Sequence, residues 1–127
     1  MKTMTLLACL IATPALAWQC PSVLPMPSPG FELVGPTQTA PHKLEVMRLF
    51  DGPPGEETQR SPSELAPDNV ERRPSAERMT WKFAGNELLL GVCMYAGTKT
   101  YYRSKIRPVP KTCTMIREPG QTQTRCD

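Results

Sequence analysis

The sequence contains a single histidine, His42, and lacks the residue patterns of the common active sites. A nucleophilic triad needs a base beside a serine or thiol. His42 lies between Pro41 and Lys43 at the entrance of a predicted strand, where a structural role is favoured. No glycine-rich phosphate loop and no glycine-flanked serine elbow is present. We therefore predict no cofactor and no known enzyme class.

The sequence also lacks the spacing of a metal site and the charge of a nucleic-acid-binding protein. It has no Cys-x-x-Cys pair, and one histidine is too few for the common zinc sites. The formal net charge is only +3. A charge this small does not imply a nucleic-acid partner. We predict neither a metal site nor nucleic-acid binding.

No apolar run is long enough to span a bilayer, which takes about 20 residues. Residues 1–17 instead have the form of a secretory signal peptide, with Lys2 near the start and small residues at Ala15 and Ala17. Cleavage is expected after Ala17, leaving one soluble, exported domain. A lipid-anchored alternative at Cys9 is disfavoured, because the apolar run continues beyond that residue.

Four cysteines follow the predicted signal peptide, an even number in a compartment where disulfides persist. They are Cys20, Cys93, Cys113 and Cys126. Three pairings are possible, and the sequence alone does not choose among them. We favour Cys93 with Cys113, which would join two predicted neighbouring strands. Cys20 with Cys126 would then tie down both ends of the chain.

Prolines divide the exported chain into a Pro-rich extended segment, 18–42, and a single β-rich domain, 43–127. Proline density excludes helix and central strand from the first segment, although 31–34 would form a short edge strand. A long polar loop is predicted over 51–78. Within it, Ser61-Pro62-Ser63-Glu64 resembles a capping box that would start one helical turn.

Alternating apolar residues predict the strands of the domain. The strand 88–95 is apolar on both faces, which is typical of a central, doubly covered strand. Other strands are predicted over 43–50, around Met79 to Phe83, over 98–107 and over 112–117. The expected fold is all-β, a small antiparallel sheet or meander stapled by two disulfides.

Several motifs along this chain occur in the same order in a family of small exported proteins from Gram-negative bacteria. They are Cys20-Pro21, Leu49-Phe50-Asp51-Gly52-Pro53-Pro54, Glu64-Leu65-Ala66-Pro67-Asp68, Trp81, Cys93-x-Tyr95-x-Gly97-Thr98 and Cys113. The chain resembles this family from Lys43 to Arg117. The resemblance implies a periplasmic, single-domain protein in which Cys93 and Cys113 flank a hairpin, and it supplies no active site.

Carboxylates cluster between Asp51 and Glu71, so a hydrolase that uses two of them as acid and base is an alternative. The candidates for acid and base are Asp51, Glu56, Glu57, Glu64 and Asp68. Turn and capping roles explain the cluster better, because Asp51 precedes Gly52-Pro53, Glu64 suits a capping role and Asp68 follows Pro67.

A basic stripe is predicted on the strand 98–107, where alternate residues project from one face. Its members are Lys99, Tyr101, Arg103, Lys105 and Arg107. The stripe would suit phosphate or carboxylate groups. An ordinary solvated face is the favoured interpretation, and the acidic stretch 51–71 would neutralise the stripe if it folded over it. A two-residue turn at Ala96-Gly97 would set Cys93 opposite Thr100.

Three functional hypotheses follow from these patterns. The leading one is a noncatalytic, monomeric interaction protein of the periplasm, for which an inhibitor-like, immunity-like or accessory role would fit. The second is a protein that binds anionic envelope material through the basic stripe. The third is the carboxylate-dependent hydrolase.

Overall fold

The computed structural model describes residues 17–58 and 63–127. Over these ranges the chain forms nine strands and one short 3-10 helix. The strands are β1 (Val23–Leu24), β2 (Glu32–Val34), β3 (His42–Asp51), β4 (Asn69–Arg73), β5 (Ala76–Lys82), β6 (Leu89–Tyr95), β7 (Tyr101–Lys105), β8 (Thr112–Glu118) and β9 (Gln121–Cys126), with the 3-10 helix over Glu56–Thr58 between β3 and β4. The predicted signal peptide up to residue 16, including Cys9 and Ala15, lies outside the described residues, as do Ser61 and Pro62.

The strands form two antiparallel sheets, which confirms the predicted all-β class. One sheet has five strands in the order β1-β3-β6-β7-β2, and the other has four in the order β4-β5-β8-β9. In the part of the chain that the structure describes, no helix has the length and apolar character needed to cross a membrane.

Strand β6 lies at the centre of the five-stranded sheet, as its two apolar faces predicted. One face of this sheet joins the main core, which also receives Trp81, Cys113 and Met115 from the four-stranded sheet. The opposite face carries a second cluster of Phe50, Leu90 and Val92. The doubly covered character of β6 thus results from two separate apolar clusters.

The disulfides are Cys20–Cys93 and Cys113–Cys126, so the favoured pairing was wrong. Cys93 and Cys113 lie in different sheets and are not on neighbouring strands. Cys113 instead faces Cys126 across the β8–β9 hairpin. The error arose because no strand was predicted around Cys126. Cys93 was then the only cysteine on a strand predicted to lie beside that of Cys113.

Three strands occur where the sequence predicted none, namely the two-residue β1 in the Pro-rich segment and the longer β4 and β9. The expected polar loop 51–78 contains β4, whose five residues are all exposed. Strand β9 follows a two-residue turn at Pro119 and Gly120, and it is polar at almost every position. Neither strand shows a long apolar alternation. For β9, the Pro-Gly turn signal followed by Thr122, Thr124 and Cys126 at period two would have indicated a hairpin.

The ring of Trp18 packs against the backbone of the central strand. Trp18 forms a bridge with Cys126, and its indole Nε1 donates a hydrogen bond to Ser104 Oγ at 3.2 Å. Ser104 lies opposite Gly91 on the neighbouring strand. A Cβ atom added at Gly91 would lie 2.6 Å from two ring carbons of Trp18. Glycine is therefore required here by the close approach of the ring.

The variant Gly91→Ala is expected to lower the free energy of unfolding by about 1–3 kcal/mol, because the added methyl group overpacks a buried contact. Urea denaturation measures the loss. In a Trp18→Ala background the same substitution should cost much less, since the clashing ring is gone. An equal cost in both backgrounds would contradict the assignment of the clash to Trp18.

Candidate partner-binding site

The predicted basic stripe is only partly formed. Strand β7 ends at Lys105, so Arg107 lies beyond the strand and Lys99 lies in the loop before it. The loop after β6 is longer than the predicted two-residue turn, and Cys93 faces Tyr102 instead of Thr100. The observed register thus differs from the predicted one by two residues. Because side chains alternate between faces at period two, Arg103 and Lys105 still lie on the same face as Leu90 and Val92. Binding of anionic envelope material by this stripe stays a prediction.

Arg103, at the centre of the stripe, is held by two carboxylates. Its Nε and Nη2 donate to the two carboxylate oxygens of Glu32 on the neighbouring strand at 2.9 and 3.1 Å. Its Nη1 donates to Glu57 Oε1 at 2.6 Å. Glu57 comes from the 3-10 helix, so the acidic stretch does fold over the stripe. The cation at the centre of the stripe is thus compensated inside the protein.

The carboxylate of Glu57 is an ionised acceptor in a buried position. Its side chain is 2% exposed, and it also accepts hydrogen bonds from Tyr101 Oη and the backbone N–H of Gly55. Burial opposes ionisation, but the hydrogen bonds from Arg103 and from backbone N–H groups outweigh it and lower the pKa of Glu57. Burial beside Glu57 raises the pKa of Tyr101. Together these contacts form a structural ion-pair network.

In the described part of the chain, the other candidate carboxylates have separate partners and do not contact one another in pairs. Asp51 Oδ1 accepts from the backbone N–H of Leu88 at 2.8 Å, and Asp68 Oδ2 accepts from Lys82 N–H at 2.6 Å. The carboxylate of Glu64 pairs with Arg48, and Glu64 itself forms an isolated β-bridge with Phe50. Glu56 is the remaining one, and its carboxylate lies against Gly52. These contacts agree with the structural roles predicted for the cluster, although the partners differ.

His42 contacts the turn after β6. Its Nδ1 lies 2.8 Å from the carbonyl oxygen of Ala96, which gives the ring a structural partner. Within residues 17–58 and 63–127, no group of three histidine, cysteine or acidic side chains is arranged to hold a metal ion.

A groove of about 830 Å³ runs along β9. One wall is formed by the segment Gln19 to Ser22 and the start of β3, and the other by β9 and the adjoining part of β5 and β8. Its size lies within the range of ligand-binding clefts, about 300–1,000 Å³. Sequence reasoning missed this groove because it missed β9.

The groove combines apolar surface with charged groups that are mostly basic. Lys43, Arg78 and Arg125 contribute cations to its lining, and Asp127 contributes a carboxylate that accepts from Arg125 Nε at 2.8 Å. Leu44 and Ile116 add apolar surface. A groove of this character suits a partner with acidic and apolar groups.

The chain from residue 38 to residue 127, well over half of its length, matches the family model described as type VI secretion system Tli immunity protein. The chain belongs to this family. Searches of the curated proteins and of the solved structures each gave no significant match.

The Tli immunity match includes the stretch from Lys43 to Arg117 that carries most of the resemblance, but not the Cys20-Pro21 motif, and it extends to the end of β9. Cys126 therefore lies inside the family region, whereas Cys20 lies outside it. The groove walls supplied by β3, β5, β8 and β9 all fall within the matched residues. Because an immunity protein acts through a partner effector, the groove is the first surface to consider for that contact.

Proposed function

We propose that this chain is an exported immunity protein that neutralises a type VI effector in the periplasm by binding it, without catalysis. Membership of the Tli immunity family carries this proposal. The two disulfides support an oxidising compartment, which agrees with the predicted signal peptide. The structural roles of the clustered carboxylates favour a binding protein over a hydrolase.

Binding and catalysis predict different stoichiometries. When its cognate type VI effector is titrated with the purified, oxidised protein, the effector activity should fall linearly and vanish at one chain per effector. A catalytic inactivator would abolish the activity at a small fraction of that amount. Loss of effector activity far below equimolar protein would therefore contradict the proposal.

The compartment is tested in living cells. Cells that export this effector to the periplasm should survive when they produce the chain with residues 1–17, and should die when residues 1–17 are replaced by a single Met. The exported Cys20→Ala, Cys93→Ala variant serves as a control for dependence on the fold. Equal protection by the chain without its leader would contradict a periplasmic site of action.

A further inference from the structure

We infer that the groove beside β9 binds an extended, acidic segment of the effector, which adds to the four-stranded sheet as a fifth strand. This inference rests on the proposed function. It comes from the direction of the backbone groups of β9, from the shape of the groove and from its charge.

Two residues of β9, Thr122 and Thr124, direct their backbone N–H and C=O groups into the groove. Cys113 and Cys126 have Cα atoms 4.0 Å apart, which marks them as a non-hydrogen-bonded pair of the ladder. The N–H and C=O groups of Cys126 therefore point away from β8, and both bond to Trp18. By the alternation of the ladder, those of Thr122 and Thr124 point the same way.

The N-terminal segment leaves this edge after its first contact. Cys20 N–H donates to the side-chain Oγ1 of Thr124 at 2.9 Å instead of to its backbone carbonyl. The disulfide to Cys93 draws Cys20 towards the five-stranded sheet. Among the described residues, the outward N–H and C=O groups of Thr122 and Thr124 have no backbone partner. They are therefore available to an added strand.

The groove distinguishes this edge from the other open edge of the same sheet. Strand β4 presents a fully exposed edge, with Glu71, Arg72 and Arg73 in a row of charged side chains that discourages pairing. Strand β9 instead has a second wall, which contains Cys20 and Leu44. A strand placed there would bury one face against this wall and leave the other beside Ile116, Gln123 and Arg125.

The charge of the groove selects the occupant. Lys43 and Arg78 are exposed and lie in the lining together with Arg125, and Asp127 is the only carboxylate among the described lining residues. An extended segment with acidic side chains would complement this lining, and a basic one would be repelled.

Proline substitution tests the backbone pairing. Thr122→Pro removes the N–H that points into the groove, together with the hydroxyl that bonds Glu45 O. It leaves the ladder to β8 intact, so folding should be preserved. Affinity for the cognate effector, measured by calorimetry, should fall at least about tenfold, since a hydrogen bond is lost and the ring blocks the approaching strand. Thr122→Val removes the side-chain bond to Glu45 O but keeps the N–H, and should change the affinity less than about threefold.

Val70→Pro is the matched control on the opposite edge. Arg73 and Ala76 flank a two-residue turn and form a hydrogen-bonded pair, so the N–H of Val70 points outward from β4. This variant should bind like the unsubstituted chain. Loss of affinity in Val70→Pro together with full affinity in Thr122→Pro would place the contact on β4 and overturn the inference.

Charge reversal tests the occupant. Lys43→Glu with Arg78→Glu should weaken binding at least about tenfold at low salt and less at high salt. Lys105→Glu with Arg107→Glu makes the same charge change away from the groove and should have little effect. The opposite ranking would assign the contact to the basic stripe and overturn the inference.

Hydrogen exchange tests the inference without any substitution, so it still applies if a variant misfolds. In the complex of the unsubstituted chain, the amides of Thr122 and Thr124 should become protected, and that of Val70 should not. Unchanged exchange at Thr122 and Thr124 would overturn the inference while leaving the proposed function standing. If the chain does not bind the effector at all, both the inference and the proposed function are overturned. If the chain forms a dimer that Thr122→Pro abolishes while effector binding stays intact, a second copy of the chain occupies the groove and the inference is overturned.

Discussion

Replacing Cys20 and Cys93 together by alanine is expected to lower the free energy of unfolding by about 4 kcal/mol, a large share of the stability of a small domain. The two cysteines are 73 residues apart in the sequence, so their bond removes much conformational freedom from the unfolded chain. The bond also holds the segment that carries Trp18 against the five-stranded sheet. Urea denaturation of the oxidised proteins measures the loss.

The second disulfide provides the matched control. Cys113 and Cys126 are 13 residues apart, and the same chain-entropy relation gives about 3 kcal/mol for their bond. All four cysteines are buried, so the cavities left by alanine are similar and the difference reports mainly on loop length. A larger loss for Cys113→Ala, Cys126→Ala than for the first pair would contradict the argument.

The variant Arg103→Met is expected to lower the free energy of unfolding by about 3 kcal/mol near neutral pH. The reason is Glu57, whose buried carboxylate would lose its only cation in the described part of the structure. Methionine keeps much of the apolar volume, so the loss reports on charge more than on packing. The double variant Arg103→Met, Glu57→Gln should recover part of the stability, because no unpaired charge remains.

The pH dependence of this loss has a definite sign. A carboxyl group whose pKa is lowered on folding, as for Glu57 and Glu32, stabilises the protein above its unfolded pKa, and this contribution is lost as the pH falls through the folded value. Without Arg103 the pKa of Glu57 is lowered less, so the variant loses less on acidification. The stability gap should therefore narrow from pH 7 to about pH 3.5. A gap that widens would contradict the role of Arg103.

The ion-pair network of Arg103 shows how much of a charged cluster can be predicted from the sequence. The sequence put Arg103 on a basic strand and the acidic stretch nearby, and it offered internal neutralisation as an alternative. The structure confirms that alternative for Arg103, with Glu57 as the partner. The second partner, Glu32, comes from β2, an edge strand that the sequence predicted without a neighbour. Opposite charges in one chain can be anticipated, but the register that pairs them cannot.

Periodicity by itself determined the class of the fold and the central strand β6, because burial on one or both faces leaves a direct mark on residue type. Proline density limited the N-terminal segment to an edge strand, which is β2. Only the tertiary structure decided the disulfide pairing and the groove. Both depend on β9, a polar strand whose place is set by its ladder with β8 and by the bond from Cys113 to Cys126. Backbone hydrogen bonds and cross-links act between residues distant in sequence, and they do not require an apolar pattern that the sequence would display.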